Sequence, residues 1–301
     1  MAIYLSGGSG NLGKEVLRLL PQAVPLVRRP AGLKNEIVAD FNNPEGLKKL
    51  LADCTTIIHL AGSMKFHDPR AMEEGNVIMT RNLLAALPQK ANVIYASSIS
   101  IYGKNSSGKV DEETAPNPDS VYSRTKYEAE KMVMARPGSI ALRIGPIYGP
   151  QYADYSKFMR MIRKGRMAIF GNGKNPVSFV HVGDVAKAVQ ASLGAKPGIY
   201  VVSGPSLAQE KIYEMAANEL GAKPPKIRIP LRLALLFAHC EENLALLTGR
   251  KPLITREHIS ILGKSREFDY SKAEKELGFK PRPIGEGIRE IARISLKKQS
   301  V

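Results

Sequence analysis

Six short apolar runs, separated by stretches with helical spacing, constrain this chain more than any other feature. They are Ala2 to Leu5, Ala23 to Val27, Thr56 to Leu60, Asn92 to Ala96, Ile140 to Ile144 and Ile199 to Val202. Near-continuous apolar runs of this length are what strands look like when both faces of a parallel sheet are covered. Amphipathic windows lie between them, at Leu12 to Leu20, Pro44 to Leu51, Arg70 to Leu87 and Tyr122 to Arg136. Parallel strands need crossover connections, so the alternation predicts an α/β fold with a doubly wound parallel sheet. With 44% hydrophobic and 24% charged residues, the chain has enough apolar surface for such a core.

Regularity loosens after about residue 150. A basic amphipathic stretch, Tyr155 to Arg166, precedes a Gly/Asn/Pro loop at Gly171 to Pro176, then a helix from Asp184 to Leu193. Residues 1–150, with 177–203 returning to the sheet, are read as one unit. Residues 151–176 and 204–301 are read as a smaller, mostly helical C-terminal cap.

The formal net charge of +16 raises the possibility of nucleic acid or an anionic membrane as partner. The cations are scattered among apolar positions with no long block, so neither partner is expected. No stretch reaches the 18 or so apolar residues of a membrane span, and Ala2-Ile3-Tyr4-Leu5 lacks a signal-peptide layout. The expected location is the cytoplasm. Leu231 to Leu247 is apolar enough to bind a membrane surface, but Glu241-Glu242 interrupt it, and a substrate-pocket helix is the preferred reading. Cys54 and Cys240 stand far apart and are expected in the core, and His67, His239 and His258 show no ligand spacing, so no metal is expected. His59 and His181 fall in apolar patterns and are read as core histidines.

The first apolar run passes directly into Gly7-Gly8-Ser9-Gly10-Asn11-Leu12-Gly13, a G-x-x-G-x-x-G turn opening a helix. Glycines there let the backbone approach a pyrophosphate, whose charge then sits on the helix N-terminus. Gly7, Gly10, Asn11, Leu12 and Gly13 are the candidate cradle, and the sheet is of Rossmann type. After the second run, NAD-binding sheets carry a carboxylate that accepts from the ribose 2′-hydroxyl. Here the sequence reads Val27-Arg28-Arg29-Pro30. Two guanidiniums suit a 2′-phosphate, which predicts NADP in preference to NAD. Further on, Asp40 and Phe41 stand where an adenine amino group would be held.

The fourth run leads into Ser97-Ser98-Ile99-Ser100-Ile101-Tyr102-Gly103, and Tyr122-Ser123-Arg124-Thr125-Lys126 opens a later helix. A spacing of four places Tyr122 and Lys126 on one helix face. A nearby ammonium favours tyrosinate and suits Tyr122 for proton exchange with a substrate oxygen, which Ser98 would hydrogen-bond. The same pattern recurs at Tyr127 and Lys131, but five residues turn a helix by about 500°, so only one pair can face a cofactor. Tyr122 sits at the helix start, beside the strand ends, and is chosen.

These motifs do not stand alone. His59-Leu60-Ala61-Gly62, Asn76-Val77, Leu142-Arg143, Tyr148-Gly149-Pro150, Phe179-Val180-His181-Val182, Asp269-Tyr270-Ser271-Lys272-Ala273 and Leu277-Gly278-Phe279-Lys280-Pro281 follow in order. Together they make the chain resemble the extended short-chain dehydrogenase/reductases, the NAD-dependent epimerase/dehydratase superfamily, along nearly its whole length. The resemblance implies a catalytic triad of Ser98, Tyr122 and Lys126, with Asn76 in support and Leu60, Ala61 and Gly62 lining the cofactor. It also implies a homodimer through the helices Arg70 to Leu87 and Tyr122 to Arg136.

Departures from the family pattern narrow the reaction. Dehydratases of the family carry an Asp-Glu pair after the catalytic hydroxyl residue, where this chain has Ile99-Ser100. Many nucleotide-sugar enzymes place an arginine where Val177 stands. Lys157, Arg160, Arg163 and Arg166 offer charge from a neighbouring helix, and Ser100, Tyr148 and Lys157 are the substrate-side candidates. The stretch Asn243 to Thr255 resembles the cap of the hydroxysteroid dehydrogenase-like and dihydroflavonol reductase-like branch. The expectation is an NADP-preferring oxidoreductase acting on the alcohol or ketone of a small molecule. The alternatives are a sugar or nucleotide-sugar epimerase with tightly bound NAD, or a non-catalytic dinucleotide sensor.

Overall fold

A computed structural model of the chain describes residues 2–66, 68–103, 108–250, 252, 255–256, 259 and 266–297. His67 and His258, named above, and residues 251, 253 and 254 of the stretch Asn243 to Thr255 lie outside the described residues. Seven parallel strands form the central sheet: β1 (Ala2–Ser6), β2 (Val24–Val27), β3 (Ile37–Val38), β4 (Cys54–His59), β5 (Asn92–Ser98), β6 (Ile140–Ile144) and β7 (Gly198–Val202). Their spatial order is β7-β6-β5-β4-β1-β2-β3. Six of them are the apolar runs; β3 has only two residues, too few to carry a period.

The helices are α1 (Asn11–Leu19), α2 (Pro44–Leu50), α3 (Met79–Ala86), α4 (Val121–Met134), α5 (Ala153–Arg163), α6 (Val182–Ala191), α7 (Gln209–Glu219), α8 (Leu231–Thr248), α9 (Ser271–Leu277) and α10 (Ile284–Lys297). Neighbouring strand residues feed opposite faces of the sheet. Leu5, Ile58, Ile94 and Leu142 pack with Val16 of α1 and Val185 of α6. Tyr4, Ile57, Val93 and Ala141 pack with Leu47 of α2, Leu83 of α3 and Ala129 of α4. This two-sided burial is why the strands read as unbroken apolar runs.

A third cluster joins Met159 and Ile162 of α5, Tyr213 and Ala216 of α7, and Ile288 and Ile291 of α10. Ala273 and Leu277 of α9, with Phe279, pack instead onto the sheet. The helix expected over Arg70 to Leu87 runs without a break from Pro69 to Ala86, but it widens into a π-helical stretch at Glu73–Ile78, between a first α-helical turn at Pro69–Met72 and α3. At Gly75 an added Cβ would lie 2.8 Å from Ser63 Cβ, so the loop after β4 presses on the helix where it widens. Cys54 is buried as expected, but Cys240 is exposed, because it lies on the outward face of α8.

Chain order reverses between β1 and β4, which lie side by side in register Ser6 to His59, with His59 in turn opposite Tyr95. The segments leaving β1, β4 and β5 therefore emerge along one edge of the sheet, at the switch point where ligands bind in such folds.

Candidate active site

Gly7 leaves β1 with φ +83°, and a Cβ there would lie 2.7 Å from the Ala61 amide nitrogen. A Cβ on Gly13 would collide with the Gly7 carbonyl and lie 2.7 Å from Gly8 Cα. Glycine is thus required for α1 to pack on its own entry turn and for that turn to pack on the Leu60-Ala61 segment. The turn closes through Gly10 N–H donating to the Gly7 carbonyl at 3.0 Å. Among the described residues no side chain caps α1, and its first turn carries no acidic residue, so its N-terminal N–H groups are of the kind that favours an anion.

Beyond β2, Arg28 and Arg29 are both exposed, and neither has an ion pair or side-chain hydrogen bond among the described residues. The first carboxylate that follows, Glu36, accepts from the backbone N–H groups of Ala31, Gly32 and Leu33 at 2.9, 3.2 and 3.0 Å. These bonds hold it below the usual carboxylate range. Glu36 closes this loop on itself. Sequence reading did not single out Glu36, because three i→i−n backbone contacts leave no pattern. Asp40 is exposed and accepts from Asn42 N–H at 2.9 Å, while Phe41 is buried under the sheet edge and its carbonyl accepts from Asn82.

Ser98 ends β5, and its hydroxyl accepts from Ser100 N–H at 3.2 Å at the head of the 3-10 turn Ile99–Tyr102. Ser100 Oγ is shielded from water and has no hydrogen-bond partner among the described residues. Helix α4 starts at a capping box in which Ser120 and Ser123 bond each other's backbone N–H at 3.1 and 2.9 Å. That cap fixes Tyr122 in the first turn, where its ring meets Phe66 edge-on at 5.4 Å.

Lys126, one turn later, is buried. Its Nζ donates to the Ala96 carbonyl at 2.5 Å and lies 4.2 Å from the centre of the Tyr95 ring. No carboxylate pairs with it among the described residues, and burial pushes its pKa down to about 7, with Glu130 opposing the shift. The Tyr95 hydroxyl is fully buried with no hydrogen-bond partner among the described residues. Burial pushes it well above 10, and the nearby Tyr122 adds to this. Tyr127, by contrast, packs against Ile99, Ile101 and Tyr102, with exposed Lys131 5.2 Å from its ring centre.

Asn76, on the π-helical stretch, ties these parts together. Its Oδ1 accepts from Ser63 N–H at 2.7 Å, and its Nδ2 donates to the Ser63 carbonyl at 3.1 Å and to Thr125 Oγ1 at 3.0 Å. Thr125 Oγ1 in turn donates to the Tyr122 carbonyl at 3.0 Å. A Cβ on Gly62 would stand 2.9 Å from Asn76 Oδ1 and 3.9 Å from Lys126 Nζ. Gly62, Asn76, Tyr122 and Lys126 therefore form one cluster at the sheet edge.

Behind it lies an ion pair that sequence motifs indicated only as Leu142-Arg143. Arg143 Nη2 donates to Glu130 Oε1 at 2.8 Å, Ser97 Oγ donates to Glu130 Oε2 at 2.5 Å, and Arg143 Nη1 donates to the Tyr102 hydroxyl at 2.8 Å. Both charges are buried, and the network fixes the residue before Ser98. His59 is a core histidine whose ring nitrogens meet Ser6 Oγ at 2.6 Å and Thr80 Oγ1 at 2.9 Å. Burial first, and Lys126 second, push its pKa down to about 3. His181 caps α6 through its Nδ1 and faces Glu290 at 3.3 Å.

Two substrate-side candidates lie elsewhere. Tyr148 is buried in the third cluster, its ring stacked where Gly287 has no side chain, and its hydroxyl has no hydrogen-bond partner among the described residues. It packs the C-terminal region and is not brought to the Tyr122 cluster. Lys157 projects to solvent from α5.

A family model described as the NAD dependent epimerase/dehydratase family matches residues 3–203. The chain belongs to this family. It is an enzyme of the extended short-chain dehydrogenase/reductase type. A putative dihydroflavonol 4-reductase from Synechocystis is 27% identical, over 95% of this chain and 92% of that protein. Human short-chain dehydrogenase/reductase family 42E member 1 is 26% identical, over 94% and 84%. An Escherichia coli O157:H7 N-acetyl-alpha-D-glucosaminyl-diphospho-ditrans,octacis-undecaprenol 4-epimerase is 24% identical, over 95% and 92%. Among solved structures, gox2253 aligns with a TM-score of 0.78 at 26% identity over 99% and 98% of the two chains. MoeE5 in complex with UDP-glucose and NAD aligns with a TM-score of 0.77 at 24% identity over 99% and 100%, a likeness of fold.

Proposed function

We propose that this member of the epimerase/dehydratase family is an NADP-preferring oxidoreductase acting on the alcohol or ketone of a small molecule. The observation that carries the reading is the buried Lys126 Nζ, held on the Ala96 carbonyl one helical turn from Tyr122. A titratable amine without a carboxylate partner is costly to bury and is characteristic of a site that uses it.

The glycine turn fits a dinucleotide, since Gly7 and Gly13 leave backbone where any Cβ would intrude. Gly7, Gly10, Asn11, Leu12 and Gly13 would hold the pyrophosphate, Arg28 and Arg29 a 2′-phosphate, and Asp40 and Phe41 the adenine end. Leu60, Ala61, Gly62 and Asn76 would line the nicotinamide half. Bound there, the cofactor supplies or accepts a hydride at a substrate carbon. Tyr122 Oη exchanges the proton of the substrate oxygen, and Ser98 and Ser100 orient that oxygen. Lys126 lends positive charge to the tyrosinate below the pH at which it loses its own proton. The enzyme is read as cytoplasmic and as a homodimer through the helices Arg70 to Leu87 and Tyr122 to Arg136; monomeric sedimentation at micromolar concentration would remove the dimer.

An epimerase with resident NAD is the second reading, favoured by the 4-epimerase among the relatives. Arg28 and Arg29, exposed and without a partner among the described residues, weigh against it. The test is Tyr122→Phe, assayed with NADPH against a panel of ketones and aldehydes. Turnover should fall by about 10²–10⁴-fold with cofactor affinity unchanged; near-normal turnover would overturn the assignment.

A further inference from the structure

Helix α8 turns its alanines inward, with Leu231 and Leu235 partly buried beside them, and exposes its other large apolar side chains, Leu246 standing about 80° away from the rest. Ala234 and Ala238 pack with Ile259, Phe170 and Ile229, and Ala245 is also buried. Leu233, Leu236, Phe237, Leu244 and Leu247 are 49–86% exposed. At about 100° per residue, these five and Cys240 fall within an arc of about 100° that runs about 20 Å along the helix. Arg232, His239 and Asn243, all exposed, border one side of that arc. A helix serving only a protein core turns its large apolar face inward. Side chains lining a closed pocket are shielded on both sides, whereas exposure of this degree marks a convex surface.

The two acidic residues that interrupt this stretch in sequence do not interrupt it in space. Glu241 is buried and accepts from Arg250 Nη1 and Nη2 at 2.7 and 2.9 Å. Glu242 accepts from Arg256 Nε at 2.6 Å and from Arg256 N–H at 2.8 Å. Glu241 lies about 40° beyond one edge of the arc and Glu242 more than about 100° from it, and both are paired with arginines. Residues 223–256 hold seven Lys/Arg against two Asp/Glu, and exposed Lys223, Lys226 and Arg232 gather at the N-terminal end of the helix beside exposed Ile227.

From this we infer that α8 is an interfacial helix that lays its Leu/Phe stripe into the surface of a bilayer containing anionic phospholipids. Its basic N-terminal end meets the headgroups, and a large apolar arc with flanking cations is the combination that binds there. No helix among the described residues is long and apolar enough to cross a membrane, so the contact is one of lying on the surface. A second copy of the chain is the poorer occupant, because pairing this face would bring its cations together in a protein of net charge +16.

The test is co-sedimentation of the full-length protein with vesicles of phosphatidylcholine alone or mixed with phosphatidylglycerol. Binding to the mixed vesicles is expected, weakened at least about tenfold without phosphatidylglycerol or in high salt. The triple variant Leu233→Ser, Leu236→Ser, Phe237→Ser should reduce partitioning at least about 100-fold. All three side chains are exposed; thermal unfolding and NADPH titration check the variant's fold and keep this test separate from the proposed activity. Arg232→Glu should lower binding to the mixed vesicles several-fold on its own. The inference is overturned if the native protein ignores the mixed vesicles, or if the triple variant binds them unchanged. It is also overturned if the stripe instead holds a dimer that the triple variant dissociates, or if the variant alters only KM for substrate.

Discussion

Replacing Lys126 by methionine should make the protein more stable at neutral pH while abolishing its turnover. Burial lowers the lysine pKa to about 7 from 10.5, so between those values the unfolded chain holds a proton that the folded chain lacks. Stability therefore rises with pH from about 7 to about 10.5, and at pH 7 and below the amine works against folding. At about 1.4 kcal/mol per pH unit, this opposition is on the order of 4 kcal/mol at neutral pH. Methionine keeps the apolar stem but loses the bond to the Ala96 carbonyl, which costs about 1–3 kcal/mol. The net expectation is a gain of about 1–3 kcal/mol at pH 7, a rise of roughly 2–4 °C in Tm per kcal/mol for a protein of this size. Urea unfolding at pH 7 and pH 10 reads both parts, because the advantage should vanish at the higher pH. A variant less stable than the parent at pH 7, or one whose stability still climbs between pH 7 and 10 as the parent's does, would refute the reasoning.

Glu130→Ala leaves Arg143 charged and buried without its partner, and should cost about 3–5 kcal/mol in urea unfolding. Gly13→Ala puts a methyl group against the Gly7 carbonyl and should raise the Kd for dinucleotide at least about tenfold in a fluorescence titration. For His59, the unfolded chain takes up a proton below about 6.5 that the folded chain refuses down to about 3. Stability is therefore lost as pH falls through that window, and His59→Gln should show a shallower loss than the parent in unfolding curves from pH 6.5 to 4.

The sheet was legible because each strand is buried on both faces, so Ile57-Ile58 or Val93-Ile94 reads as an apolar run whichever way it points. Its edge strand Ile37–Val38 and the π-helical widening at Glu73–Ile78 were not, since both arise from contacts with distant segments. At the site, the glycine turn and the Tyr122/Lys126 spacing are local patterns and could be read directly. The partners of Lys126 could not: Ala96 contributes a carbonyl, and Tyr95 faces the helix only through the sheet register. Tyr148 drew attention through its motif, yet its neighbours in the third cluster, Ile284 and Ile288 among them, come from the far end of the chain. The partners of Glu241 and Glu242 could not be read either, because their arginines lie 9 and 14 residues on and follow no helical period.

The proposed enzyme is an oxidoreductase that exchanges an NADP cofactor each cycle. Its most direct test is to denature freshly purified protein, identify any released nicotinamide cofactor by mass, and titrate the emptied protein with NADPH and NADH. Exchangeable binding with a clear preference for NADPH is expected, lost on replacing Arg28 and Arg29 by serine. Stoichiometric NAD that survives purification, with no gain from a 2′-phosphate, would contradict it and favour the epimerase.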